Sequence, residues 1–333
     1  MTLRFESSLA AVSRETGGEL GGAVLGAPPS GAMPLWPIQR IFAPILGSTA
    51  AFVHEVWWTE GEPVTGRTDD IHWRRMGGLL YGVIALDEAD FPNTADCTSL
   101  QAASREAYRR IFSLLDSQRL PHLWRVWNYM AAINLETQGL ERYRQFNIGR
   151  QDAFLDDHRG ASGNVPAACA IGLAGGSLNI AFMAGATPAI PLENPRQVSA
   201  YDYPPDYGPR SPTFSRAALA YLPEQELLFI SGTASIVGHL TVHAGDVAGQ
   251  CREAMTNIAT VVEEANRRCR SAPFGLDQLS YRAYVRHAKD LDVVRNTLKP
   301  LIGGAEIVYV QADVCRQDLL LEIEAFASHA LGG

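Results

Sequence analysis

"LLFISGTASI" (residues 227–236) and, after a short loop, "GDVAGQCREAMTNIATVVEEANRRC" (245–269) decide the architecture. The first run is apolar until Gly232 interrupts it, which predicts a buried strand. In the second, Val247, Cys251, Met255, Ile258, Val262 and Ala265 recur at spacings of three and four, so they form one apolar stripe on a helix that Asp246 is placed to cap. A stripe of that kind must lie on a flat apolar surface, and the neighbouring strands supply one. Downstream, "SYRAYVRHAK" (280–289) reads as a strand, "DLDVVRNTLKPL" (290–301) as a helix and "AEIVYVQADV" (305–314) as a strand. The second half therefore alternates β, α, β, α, β before its last segment, "LLLEIEAFA" (319–327). On a strand Glu322 and Glu324 share one face, while Leu319, Leu321, Ile323, Ala325 and Ala327 take the other. An alternating strand of this kind commonly has a wet face, yet Leu320 and Phe326 flank the glutamates with apolar groups. The pattern leaves open whether the carboxylates face water or an enclosed surface.

The first half echoes this order. "LLYGVIAL" (79–86) is similar to "LLFISGTA", and "REAYRRIFSLLDS" (105–117) aligns with "REAMTNIATVVEE" (252–264) at Arg-Glu-Ala, at the following Ile and at the next apolar pair. Agreement in both a strand and a helix predicts a duplicated α+β unit, divided near residue 160 into segments 1–160 and 161–333. Between them, residues 160–192 carry no charge, but their Pro, Asn, Ser and paired Gly residues break the run into pieces too short to span a bilayer as a helix. Two buried strands, "AACAIGL" and "LNIAFMA", with a turn at Gly175 and Gly176, are expected there.

With 333 residues, 47% hydrophobic and 19% charged, the chain has the composition of a folded globular protein. Its 36 acidic and 28 basic residues give a net charge of −8 with no Lys/Arg run, which speaks against a nucleic-acid backbone or an anionic membrane as partner. An anionic ligand would need a local arginine cluster. Five scattered cysteines without a CxxC pair predict free thiols in a reducing, cytoplasmic compartment. The opening "MTLRFESSLAAVSRETGGEL" has charges at Arg4, Glu6, Arg14 and Glu15 where a signal peptide would have an apolar core. No HExxH and no ordered Ser/His/Asp set is present, and the pair His239 and His243 lacks a third ligand nearby, so no metal is expected.

The features "LLFISGTAS", "AGQCREAMTNIATVVEEA" and the terminal "EIEAFA" resemble the RidA/YjgF family over nearly the whole second half. A narrower resemblance, carried by "ENPRQVSAYDYPPDYGPRSPTFSRA" (193–217), "LFISGTASIVGHLTVHAGD" (228–246), "DVCRQDLLLEIEA" (313–325) and "LERYRQFNIGR" (140–150), is to the RidA-related chorismatases. It covers roughly residues 120–327 and implies an α+β fold of two fused RidA/YjgF-like units, with mixed sheets covered by helices. Its implied activity is cofactor-independent removal of the enolpyruvyl group of chorismate as pyruvate, giving 3-hydroxybenzoate. Sister reactions in the family form a dihydroxycyclohexadiene carboxylate by hydrolysis, or 4-hydroxybenzoate. Fusion of two units leaves a monomer or a trimer as the expected assembly.

Chorismate is a dianion with an acid-labile enol ether, so its turnover calls for arginines and for a carboxylic acid kept protonated by burial or by a neighbouring carboxylate. The resemblance assigns the acid to Glu322, with Glu324 in support. Candidate anion binders are Arg142, Arg150, Arg196, Arg210 and Arg216, with Arg150 and Arg210 foremost; loops rich in Pro, Gly and Tyr hold guanidinium groups well. Tyr201 and Tyr207 are candidates for the ring pocket, and Thr233 and Ala234 for its floor. In the family, a small residue at Ala234 and the residue seven before the glutamate, here Cys315, separate product types; a thiol there resembles the hydroxybenzoate-forming branches. An imine deaminase of the RidA type is the competing enzyme reading, although "AEIVYVQADV" lacks the arginine those proteins carry and has only Arg316 nearby. A ligand-binding protein without catalysis is the competing reading of another class.

Overall fold

The computed structural model describes residues 1–9, 17–27 and 34–331. Arg14 and Glu15 of the opening segment lie outside them. The chain begins with β1 (Leu3–Ser8), β2 (Glu19–Gly26), β3 (Ile38–Ile41), β4 (Ile45–Leu46) and β5 (Phe52–Thr59). Next come β6 (Pro63–Thr68), β7 (Ile71–Met76), β8 (Leu79–Leu86), α1 (Ser99–Gln118), β9 (His122–Ala131), β10 (Glu136–Thr137), β11 (Leu140–Glu141), α2 (Arg142–Asp156), β12 (Ala167–Leu173) and β13 (Leu178–Gly185). The remainder comprises β14 (Ile190–Leu192), β15 (Ala217–Leu222), β16 (Gln225–Thr233), β17 (Ile236–Val237), β18 (Leu240–Thr241), α3 (Val247–Asn266), β19 (Ser280–Val285), α4 (Leu291–Ile302), β20 (Ile307–Gln311) and β21 (Leu321–Ala330).

The expected α+β architecture of mixed, helix-covered sheets is found. A six-stranded sheet runs β12-β9-β13-β8-β7-β6, and a seven-stranded sheet runs β14-β15-β16-β21-β19-β20-β4. Within them the orders β7-β8-β13-β9-β12 and β15-β16-β21-β19-β20 are one plan written twice: a hairpin, a helix, a strand, a second helix, a strand parallel to its predecessor, and a last strand inserted beside the hairpin. The aligned Ile111 and Ile258 are both fully buried under their helices. Strands β12 and β13 fall where "AACAIGL" and "LNIAFMA" predict, and Gly176 takes φ +104° in the turn. They do not pair with each other, because β9 lies between them. Both belong to the first sheet, so a division at residue 160 would cut that sheet; we place it after Gly185 instead. The charge-free stretch is a misleading boundary marker, since a strand buried on both faces is as apolar as a linker is small.

Helices α1 and α2 cover the outer face of the first sheet and α3 and α4 that of the second, each over its own core. Asp246 caps α3 by accepting a hydrogen bond from the Gly249 N–H, and Cys251, Met255, Ile258, Val262 and Ala265 are buried as the stripe requires. The inner faces meet a four-stranded sheet, β1-β5-β2-β3, in a third core containing Trp57, Trp127, Phe229 and Phe326. Strand β21 is therefore buried on both faces. Leu321, Ile323 and Ala325 pack toward the helices, and Phe326 packs into the central layer.

Close approach of α1 to α2 depends on Gly149, where a Cβ would land on the Gln101 carbonyl oxygen. Gly149→Ala is expected to lower unfolding stability by about 1–3 kcal/mol, measured by chemical denaturation; an unchanged midpoint would contradict this packing.

Candidate active site

A cavity of about 690 Å³ opens where the two units meet. Its walls come from α2 and β12 of the first unit and, in the second, from the loop before β15, the end of β16, the loop before β21 and β21 itself. Isolated bridges from Ala167 to Ser215 and from Gly172 to Asp313 hold the edge strand β12 against these loops. Ser231 adds to the tie: its Oγ donates to the Ser215 carbonyl at 2.6 Å and accepts from the Ala168 N–H at 2.9 Å.

Glu322 lines this cavity at 3% exposure. Its carboxyl has room because β16 breaks register between Ile230 and Thr233, opposite the glutamates, and because residue 232 is glycine. A Cβ on Gly232 would fall on Glu322 Oε1. The small residues of "SGTAS" thus admit the acid itself. Burial pushes the Glu322 carboxyl up from 4.5 to about 8, reinforced by the negative charge of Glu324 and opposed by Arg125 and Arg216. Cys315 is half-buried on the same cavity, and its thiol is pushed up by burial and then by Glu322, so it is a neutral neighbour of the acid. The wet-face reading of β21 does not hold: Glu324 is 4% exposed.

Of the candidate residues, Arg150, Arg216, Tyr207 and Ala234 line the cavity with Glu322 and Cys315. Arg150 is 1% exposed; Nη2 donates to Asn147 Oδ1 at 2.8 Å, the guanidinium lies 4.9 Å from the Phe146 ring centroid, and Nε has no partner among the described residues. Arg216 donates through Nη2 to the Val198 carbonyl and the Tyr203 hydroxyl, both at 2.8 Å, and leaves its Nε without one. Tyr207 donates to the His239 carbonyl at 2.6 Å. Other candidates are elsewhere. Arg142 is bound to Glu88 and the Ala131 carbonyl at the start of α2, Arg196 pairs with Glu253 at 2.6 Å, and exposed Arg210 pairs with Asp152 at 3.1 Å. Tyr201 does not line the cavity, and Thr233 turns its hydroxyl to the Ser231 carbonyl. His239 contacts Tyr207 through Nδ1 at 3.1 Å, while His243 lies 3.7 Å from Glu253.

Sequence reading passed over Arg316, Tyr203, Tyr143 and Cys169, which also line the cavity. The Arg316 guanidinium lies 4.2 Å from the centroid of Tyr207 and 5.3 Å from that of Tyr203. One of its terminal nitrogens donates to the His239 carbonyl at 2.9 Å, and the other is buried without a partner among the described residues. Arg150, Arg216 and Arg316 thus bring three guanidinium groups to the lining of one cavity, each with a buried nitrogen that has no partner among the described residues, and a cluster of cations of this kind suits an anionic ligand.

The chain is similar to several known proteins. Residues 55–184 match the family described as "Chorismatase FkbO/Hyg5-like, N-terminal". A protein of Streptomyces hygroscopicus named chorismatase is 38% identical over 280 residues, 82% of this chain and 79% of that one. A second from the same organism, named 3-hydroxybenzoate synthase, is 38% identical over 292 residues, 84% and 83% of the two chains. A crystal structure of a chorismatase superposes with a TM-score of 0.85 at 33% identity, covering 98% of each chain.

The raised affinity of Glu322 for its proton has a cost in stability. Between about pH 4.5 and 8 the folded chain keeps a proton that the unfolded chain releases, so stability falls as pH rises across that window. Glu322→Gln cannot ionise and should gain on the parent by on the order of a few kcal/mol between pH 5 and 8, read by denaturant unfolding at each pH. A difference independent of pH would mean that Glu322 is already ionised at neutrality.

Proposed function

Because the chain belongs to the chorismatase family, we propose that it converts chorismate to 3-hydroxybenzoate and pyruvate without a cofactor. The observation that carries this reading is Glu322, a buried carboxyl held protonated near neutral pH in the same cavity as three guanidinium groups with unused N–H donors. A dianion with an acid-labile enol ether needs both. Arg150, Arg216 and Arg316 take up the two carboxylates, and the Tyr203 and Tyr207 rings flank Arg316 and restrict its movement. The cavity volume is of the size that encloses a small ligand.

Glu322 then protonates the methylene carbon of the enolpyruvyl group, leaving a cation on the ether carbon that the adjacent oxygen stabilises. The hydroxyl on the adjacent ring carbon closes onto the ether-bearing carbon and gives its proton to the Glu322 carboxylate as pyruvate departs with the ether oxygen; Glu322 returns that proton to the transient epoxide as the bond to the hydroxyl's original carbon breaks, so the oxygen stays on the carbon that had carried the enolpyruvyl group. Loss of one ring proton to the Glu322 carboxylate restores both the acid and the aromatic ring. The products together contain all the atoms of the substrate, so no water is consumed. In this reading Cys315 and Ala234, both on the cavity lining, restrict water beside the cation, and entry of water would instead give the dihydroxycyclohexadiene carboxylate.

The five free thiols support action in the reducing cytoplasm.

Incubation with chorismate, followed by chromatography and NMR, should yield pyruvate and 3-hydroxybenzoate; absence of both rejects the reading. Glu322→Gln should lose turnover by roughly 10²–10⁴-fold while remaining folded. Arg150→Ala and Arg316→Ala should each raise KM at least roughly tenfold, the loss of a charge-assisted hydrogen bond. Arg210→Ala should leave KM unchanged, and a rise there equal to that of Arg150→Ala would reinstate Arg210 as a substrate contact. In Cys315→Ala the diene product should increase at the expense of the hydroxybenzoate.

A further inference from the structure

Behind Glu322 lies a second set of buried charges. Glu324, two residues further along β21, is ion-paired with Arg125 of β9 and, at 2.9 Å, with Arg282 of β19. Tyr284 donates its hydroxyl to Glu324 at 3.1 Å, and Arg282 is itself ion-paired with Glu55 of β5. Glu55, Arg125, Arg282 and Glu324 are all less than one-tenth exposed. Their two positive and two negative charges cancel, so ionised Glu322 would add a negative charge that nothing in this cluster balances.

We propose that Glu324 is a positioning residue for proton donation: clamped as an anion between Arg125 and Arg282, it holds Glu322 in the protonated form at neutral pH. This rests on the reading of Glu322 as the acid. The two carboxyls share one face of β21, at positions roughly 7 Å apart along a strand, and both are less than one-tenth exposed, so solvent screens them less than it would surface charges. Around Glu322, β21 contributes Glu324, β9 Arg125, β12 Cys169, the loop before β21 Cys315, the loop before β15 Arg216, and α2 Tyr143. Of these, Arg125, a hydrogen bond from Cys315 and Arg216 favour the Glu322 anion, and Glu324 opposes it. Glu324 supplies the negative charge that offsets Arg125, which alone would draw the proton off Glu322. Packing is a poor explanation for the cluster, because buried ion pairs seldom stabilise better than apolar groups of like volume. Arg125 even leaves Nη1 buried with no partner among the described residues. Once Glu322 has given up its proton, the same repulsion favours its recovery from the ring, which completes the cycle.

The test is the pH dependence of kcat. In the parent enzyme the rate should fall on the alkaline side as Glu322 ionises. Glu324→Gln removes the negative neighbour and should move that limb to lower pH by about one unit or more, a roughly tenfold loss near pH 8 that recovers as the pH is lowered. Glu324→Asp, which keeps the charge, should restore the limb. Arg125→Gln should move it the other way, to higher pH. A limb that stays in place in Glu324→Gln, or that moves in the same direction in Glu324→Gln and Arg125→Gln, overturns the proposal. Should Glu324→Gln fail to fold, a limb that does not rise in Arg125→Gln overturns it on its own. Failure of the underlying reading looks different: Glu322→Gln would then retain turnover, or the parent would not release pyruvate.

Discussion

The ion pair between Arg125 and Glu324 joins the two large sheets in a layer where both side chains are less than one-tenth exposed. A charge in such a place cannot be left alone, because an uncompensated one costs about 3–5 kcal/mol. Its partners must therefore be exact in placement, and they are drawn from β5, β9, β19 and β21. Aromatic rings pack in the same layer: Trp57 lies 4.7 Å from Phe326 and 5.9 Å from Trp127 between ring centroids, and Phe229 lies 5.1 Å from Phe326. Apolar packing supplies the cohesion, and the charges specify which way the sheets face each other.

The duplicated plan is used unequally. In the second unit β21 presents Glu322, Glu324 and Phe326 to the layer, whereas the matching strand β13 presents Ala181 and Met183. The first unit contributes cations instead: Arg125 from its sheet and Arg150 from α2. Guanidinium groups reach the Glu322 cavity from both units, Arg150 from the first and Arg216 and Arg316 from the second, so the two copies line one shared cavity. It forms where the edge strand β12, which has no partner beyond β9 in its own sheet, is bridged to loops of the other unit.

Periodicity revealed what depends on a helix or strand burying one face. The α3 stripe, its Asp246 cap and the two charge-free strands follow from local pattern, and the repeat of Arg-Glu-Ala helices disclosed the duplication. Pairing order did not follow, because an apolar strand carries no mark of the neighbour it will choose, and β9 separates β12 from β13 without any local signal. Arginines exposed the same difficulty. Arg142, Arg196 and Arg210 sit among the same Tyr, Pro and Gly residues as Arg150 and Arg216, but carboxylates distant in sequence, Glu88, Glu253 and Asp152, occupy them. Arg316 was underrated because the rings that hold it lie in another loop. One further signal was readable: Arg125 stands alone in "HLWRVWNYMA", and an unaccompanied cation in an apolar strand announces a buried partner.

Sharing the cavity between the copies also constrains how such a chain can change over generations. After most duplications one copy is free to drift while the other keeps the original role. Here a substitution at Arg125 alters the charge acting on Glu322, and one at Arg150 alters the cavity that Glu322 lines, across the boundary, so drift in one half calls for compensation in the other. Descendants of this fold should consequently diverge as matched pairs, and a hybrid joining the first unit of one lineage to the second of another would combine an acid with cations that were never selected together.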